Sequence, residues 1–192
     1  MQTPAALLTL ATIAVLAAAP ACAWAAAPEP LPPAWVVTGL APQKFATGVD
    51  QDPGFKGAKF LRNKADDPNA WAALTQPISA QNYLGQRIRF RAFVKTQDVS
   101  GWAGLWMRVD NRAGRSLAFY NSVDKPIKGS TDWQERSVVL DVPQDAGMIV
   151  FGVIASGTGQ VWMDRLGFEQ VGQDVPVDRQ QVVPALPTVP VL

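Results

Sequence analysis

Residues 101–120, GWAGLWMRVDNRAGRSLAFY, decide the fold class. From Leu105 to Asp110 the odd positions (Leu105, Met107, Val109) are aliphatic and the even ones (Trp106, Arg108, Asp110) aromatic or charged. This period of two belongs to a half-buried strand. Ser116–Tyr120 alternates in the same sense, so Leu117 and Phe119 are expected to share the core of Leu105, Met107 and Val109. Pairing Val109 with Leu117 and Met107 with Phe119 leaves Arg112, Ala113 and Gly114 as a three-residue loop, with glycine where a left-handed residue is wanted. That register sets Trp106 opposite Tyr120 and Arg108 opposite Ala118 on the solvent side. Such an aromatic pair beside an arginine is either a ligand platform or a cross-strand pair that stiffens the sheet.

Outward from this hairpin the same pattern continues. In Gln86–Thr96 (QRIRFRAFVKT), Ile88, Phe90, Ala92 and Val94 point inward, and Arg87, Arg89, Arg91, Phe93 and Lys95 point out. The outward cations suit an acidic sugar or phosphate, or serve as a solvated face that discourages edge-to-edge pairing. Further strands are expected at 35–38, 59–62, from Trp71 onward, 136–142, 148–155 and 160–171. Met148–Ala155, apolar on both faces, reads as a central strand in which Gly152 leaves a gap for a ligand or a neighbouring ring. Gly101–Gly104 reads as a loop presenting Trp102, and Asn121–Asp132 as a long polar connection. Short strands separated by Gly, Asn, Asp and Pro make an antiparallel sandwich or barrel.

Composition narrows the chemistry. The chain has 192 residues, 17 Lys and Arg against 16 Asp and Glu, a net charge of +1, and no histidine. A near-neutral chain exerts no long-range pull on polyanions, so nucleic acid is not an expected partner. Without histidine, and with no nucleophile and base standing together, a catalytic role is not expected. Asp50 and Asp52 in the turn-rich stretch 48–57 offer oxygen ligands to a hard cation, or simply favour the turn. Asp66 and Asp67 lack the separation of a glycosidase pair, and Gly157-Thr158-Gly159 leads into a strand rather than the helix a dinucleotide motif needs.

The ends divide the chain. Ala5–Ala27 is apolar and uncharged and ends in Ala23-Trp24-Ala25, a small-x-small site before Ala26. Residues 1–25 therefore read as a secretory signal peptide. The sole cysteine, Cys22, lies within that segment, so cleavage leaves a thiol-free chain with no membrane span, periplasmic or secreted. Residues 26–33 form a Pro-rich linker, 34–172 the domain, and 173–192 a Pro-rich tail expected to be extended and mobile.

The runs GWAGLWMRVDN (101–111), KPIKGSTDWQERSVVLDVP (125–143) and FGVIASGTGQVWMDRLGFEQV (151–171) resemble a bacterial jelly-roll domain of the galactose-binding-like, carbohydrate-binding-module-like group. Such domains are found alone or attached to AraC-type regulators and secreted hydrolases. The resemblance implies an all-β, antiparallel jelly-roll β-sandwich. In related modules the last strand often reads Trp-x-Asp-Asp and its aspartate helps hold a structural calcium. This chain has Trp162, Met163, Asp164 and Arg165, so Asp164 is the one metal candidate carried over. The functional expectation is a non-catalytic module that binds a carbohydrate or similar polar ligand on the outer sheet face. Trp106 and Tyr120 would stack on the sugar, Arg108 and Asp110 would bond its hydroxyls, and Trp102 would close one end. The second expectation is a module that uses this face or the tail to bind a protein partner or the cell envelope.

Overall fold

The period-two alternation is realised as nine strands in a computed structural model that describes residues 27–51 and 54–179. They are β1 (Val36–Gly39), β2 (Phe45–Val49), β3 (Lys59–Asn63), β4 (Trp71–Ser79), β5 (Arg87–Asn111), β6 (Ser116–Tyr120), β7 (Ile127–Asp141), β8 (Ala146–Ser156) and β9 (Gln160–Val171). All pairings between these strands are antiparallel. Two layers result, because β5 serves both. Its first half, 87–97, lies between β9 and β7, continuing through β3 to β2. Its second half, 102–111, lies beside β8, continuing through β4 to β1, with β6 on its other side. This is an all-β antiparallel jelly-roll sandwich.

The stretch Gly101–Gly104, expected as a loop, is the part of β5 that turns from one layer into the other. Side-chain-free positions allow this crossing. A Cβ on Gly101 would stand 2.4 Å from the Ser156 carbonyl oxygen, and Asp98 adopts a positive φ of 53° while Ser130 Oγ accepts its backbone N–H at 2.9 Å. Between the layers, Ile88, Phe90, Ala92 and Val94 from the first half of β5 meet Leu105, Met107 and Val109 from the second. Phe90 and Phe168 from one layer pack on Phe151 from the other with ring centroids 4.9 and 4.5 Å away.

The hairpin corrects the expected register. The loop is as read: Asn111 N–H bonds to the Arg115 carbonyl at 2.9 Å, Asn111 Oδ1 accepts from Ala113 and Arg115 N–H, and Gly114 has φ +79°. Asp110 then pairs with Ser116, but Val109 pairs with Ala118, so Leu117 is an extra, bulged residue. One inserted residue exchanges the two faces of everything beyond it. Phe119 is turned outward and Tyr120 inward, with 40% and 1% of their surfaces exposed. The expected pairs Trp106 with Tyr120 and Met107 with Phe119 are replaced by Arg108 with Phe119 and Met107 with Tyr120.

The tail also begins differently from its composition. Arg87 donates to the carbonyls of Gln173 and Val175, Asp178 N–H bonds to the Val139 carbonyl, and Asp178 Oδ2 accepts Val139 N–H at 2.9 Å. Residues 172–179 thus dock on β7 and its neighbours, with Val177 against the core. This explains the burial of Val139, which alternation places outside. The rest of the tail and residues 1–25, expected as a signal peptide, lie outside the described residues.

Tyr120 carries a pH signature. Burial, and then the bond its hydroxyl donates to Asp124 Oδ1 at 2.7 Å, hold its pKa well above the ordinary phenol value. A phenol harder to ionise when folded contributes stability that is complete below about pH 10 and lost as pH rises further. At the acid end, Lys44 lowers the Asp67 pKa, and the Trp133 backbone N–H lowers that of Asp132. Their contribution is present above about pH 4 and lost as pH falls below it. The melting temperature is therefore expected to be flat from about pH 5 to 9 and to fall on both sides. Tyr120→Phe should blunt the alkaline fall in a pH series of thermal melts.

Candidate functional site

The outer surface of the layer β1–β4–β8–β5–β6 is built in rows by the strand register. Trp71, Ser156 and Trp102 share one row, and Thr38, Ala73, Ile154 and Gly104 the next. Thr75, Gly152 and Trp106 follow, then Pro77, Val150, Arg108 and Phe119. Ala73 and Ser156 are small, and Trp71, Trp102, Arg108 and Phe119 stand around them, which makes a depression. It forms a cavity of about 690 Å³ bordered by Trp71, Trp102, Trp106, Arg108, Phe119 and Asn121, with Leu40 at its edge.

Trp106 is 8% exposed and clusters with Ala73 and Val150, so its ring lies over β8 as the floor of the cleft. Phe119 meets it edge-on at 6.5 Å. Trp71 and Trp102 stand on either side of Ser156, a notch about two strand spacings, or roughly 10 Å, across at the backbone. Of the five exposed large apolar residues among those described, Leu40, Trp71 and Phe119 line this cavity. Exposed aromatic surface concentrated in one concavity is the mark of a binding site rather than of random surface.

Among the described residues, Arg108 is the one charged residue lining the cleft. Asp110 Oδ2 receives its Nε at 3.0 Å and lies 2.9 Å from Nη2, which leaves Nη1 and the outer N–H of Nη2 for a ligand. The Asp110 side chain is only 2% exposed against 41% for Arg108. Asp110, expected from the sequence to bond a ligand's hydroxyls, instead lies buried behind Arg108, where it orients the guanidinium and balances its charge. Two polar atoms of these residues, Trp106 Nε1 and Asp110 Oδ1, are buried without a partner among the described residues. Unsatisfied groups of this kind cost about 1–3 kcal/mol each.

Of the expected ligand residues, Trp102, Trp106 and Arg108 come together in the cleft, while Asp110 stands behind Arg108. Tyr120 is removed to the core by the bulge, and Phe119 takes its place. Trp71 was missed as a site residue, because its place opposite Trp102 is set by the pairing of β4 and β5 with β8. The gap at Gly152 is filled by the backbone of β4, not by a ring: a Cβ there would stand 1.9 Å from the Leu74 oxygen. Asp164 lies on the other layer beside Lys56 and Arg165. No group of three or more candidate metal ligands forms among the described residues, and the neighbouring cations oppose calcium there. Asp50 accepts the Trp162 indole N–H at 3.0 Å, and Asp52 is outside the described residues.

A jelly-roll sandwich with an aromatic cleft on one layer is thus the class to which fold and site point. No family model matches the chain. Over 145 residues it is 41% identical to an uncharacterized HTH-type transcriptional regulator, YbfP, of Bacillus subtilis strain 168; the match takes in 74% of this chain and 49% of that protein. The chain thus spans about half the length of that curated relative. In solved structures, the fold is similar to the CBM22-1–GH10 modules of Clostridium thermocellum xylanase 10B complexed with xylohexaose. That match has a TM-score of 0.52 and 14% identity over 76% of this chain and 28% of that one. It is also similar to tailspike protein 4 of bacteriophage CBA120, with a TM-score of 0.51 and 16% identity over 72% of this chain and 20% of that one. At such identities the structural likeness concerns the fold alone.

Proposed function

We propose that the domain is a non-catalytic module that binds a carbohydrate in the outer-layer cleft. The observation that carries this reading is the cavity itself: three tryptophans and Phe119 around one arginine whose charge is already balanced by Asp110. Aromatic faces suit the C–H face of a pyranose, and the free guanidinium N–H groups suit its hydroxyls. A locally neutral site favours a neutral sugar over an acidic one. The xylohexaose held by the modular xylanase that shares the fold makes xylo-oligosaccharides the first probe. The apolar stretch 5–27 supports export with cleavage before Ala26.

Affinity electrophoresis and calorimetry against neutral oligosaccharides and polysaccharides test the reading. Binding of at least one glycan, lost on mutation of the cleft tryptophans, is the expected result. Should the intact protein bind none, and instead retain a protein partner through Leu40 and Phe119, the interaction-module reading replaces it. N-terminal sequencing of the protein recovered from periplasm or medium checks the export step, with Ala26 expected first.

A further inference from the structure

The second layer carries a different surface. Each outward cation of the first half of β5 meets a carboxylate: Arg87 with Asp141 at 2.7 Å, Arg89 with Glu169 at 2.8 Å, Arg91 with Glu135 at 3.6 Å and Lys95 with Asp132 at 3.3 Å. This ladder balances itself and leaves no charge over for a ligand. The balance fails between the Arg91 and Lys95 rungs, in a recess of about 300 Å³ bordered by Phe55, Lys56, Phe93, Trp133, Asp164 and Arg165.

The recess is built, not incidental. Phe55 stacks on Trp162 at 5.0 Å and 14°, and Trp162 Nε1 donates to Asp50 at 3.0 Å, so two contacts fasten the loop to the sheet. Trp133 stands 6.2 Å from Phe55 on the other strand edge. In β9, Asp164 pairs with Phe93 and Gly167 with Arg91, which leaves Arg165 and Leu166 opposite Ala92. Arg165 takes a left-handed φ of 50°, rare for a residue with a side chain. Without the bulge Arg165 would point into the core. With it, Leu166 packs inward and the consecutive Asp164 and Arg165 both face the recess. The Arg165 guanidinium lies 5.4 Å over Phe93. Neither Arg165 nor Lys56 has a carboxylate partner among the described residues.

We propose that this recess is a second binding site, separate from the tryptophan cleft, for an acidic sugar of the hexuronate class. Arg165 and Lys56 take the carboxylate, Asp164 accepts a ring hydroxyl, and Trp133 and Phe93 offer apolar surface to the pyranose. The two layers then bind chemically distinct sugars, neutral on one side and acidic on the other. The inference stands whether or not the cleft binds carbohydrate, since no residue is shared.

The test is titration of the whole protein with trigalacturonate, neutral galactotriose and inorganic sulfate, followed by tryptophan fluorescence and by NMR. Trigalacturonate alone is expected to bind at the recess, shifting the resonances of Phe93, Trp133 and Arg165, and to bind more weakly as salt rises. Arg165→Gln should weaken it about tenfold, and Lys56→Gln by a smaller factor. Arg165→Gly suits the left-handed backbone, so its melting temperature should hold or rise while affinity is lost; this separates ligand contact from folding. Trp102→Ala should leave the titration unaffected. No binding of trigalacturonate, equal binding of galactotriose that Arg165→Gly also abolishes, equal binding of sulfate, or full affinity for trigalacturonate in Arg165→Gly would each overturn the proposal. Loss of binding in Trp102→Ala would place the acidic sugar in the cleft and overturn it as well.

Discussion

Gly152→Ala is expected to lower the unfolding free energy by at least about 3 kcal/mol, a large share of a domain's margin. Gly152 sits in the middle of β8, paired with Thr75 of β4 and Trp106 of β5. An added Cβ would stand 1.9 Å from the Leu74 oxygen, 3.0 Å from its carbonyl carbon and 3.2 Å from the Thr75 Cα. All three are backbone atoms, so no side chain can rotate out of the way. The methyl group can be housed only by parting β4 from β8, and that seam carries the row of Trp71, Ser156 and Trp102. Gly114→Ala is the control, with no heavy atom within 4 Å of the added carbon but a φ of +79°. It should cost only about 1 kcal/mol, the backbone term alone. Urea unfolding of both variants measures the difference. A Gly152→Ala midpoint within error of Gly114→Ala would mean that the strands yield at this point.

The strands and their inward faces were legible because burial on one side imposes alternation, and alternation survives in the letters. Ile88, Phe90, Val94, Leu105, Met107 and Val109 are all buried as the pattern required. The crossing of β5 between layers was not legible, since Gly101 and Gly104 read equally well as a loop; only the approach of Ser156 reveals why glycine is needed. Nor was the bulge at Leu117. Leucine and alanine both suit an inward position, so the sequence Ser116–Tyr120 fits two registers, and the choice is made by Tyr120 reaching Asp124 from inside. The candidate site inherited that ambiguity: Trp106 and Arg108 precede the bulge and lie on the face expected of them, Trp102 borders the same cleft from a strand rather than from a loop, and Tyr120, beyond the bulge, turns to the core. Trp71 belongs to the site through register with a strand about 80 residues later, a long-range pairing that local periodicity does not encode.

Trp71→Ala and Trp102→Ala are each expected to weaken the glycan retained by the intact protein at least about thirtyfold, near 2 kcal/mol. The two indoles flank Ser156 at the open end of the cleft, and Trp71 is 38% exposed, so their removal takes ligand surface rather than core. Their melting temperatures should stay close to that of the parent. Trp106→Ala should differ in kind. As the buried floor its loss is expected to cost about 3–5 kcal/mol of stability along with all binding, whereas Trp106→Phe, which gives up an indole N–H that has no partner, should fold well. Tyr120→Phe provides the opposite control: it removes the bond to Asp124, costs about 1 kcal/mol of stability, and leaves affinity untouched because the ring faces the core. Calorimetric titration of these five variants, each checked by thermal melting, discriminates between the two registers of the hairpin. Undiminished affinity in Trp71→Ala together with its loss in Tyr120→Phe would mean that the ligand sits on the unbulged arrangement, and the cleft assigned to β4, β8 and β5 would be wrong.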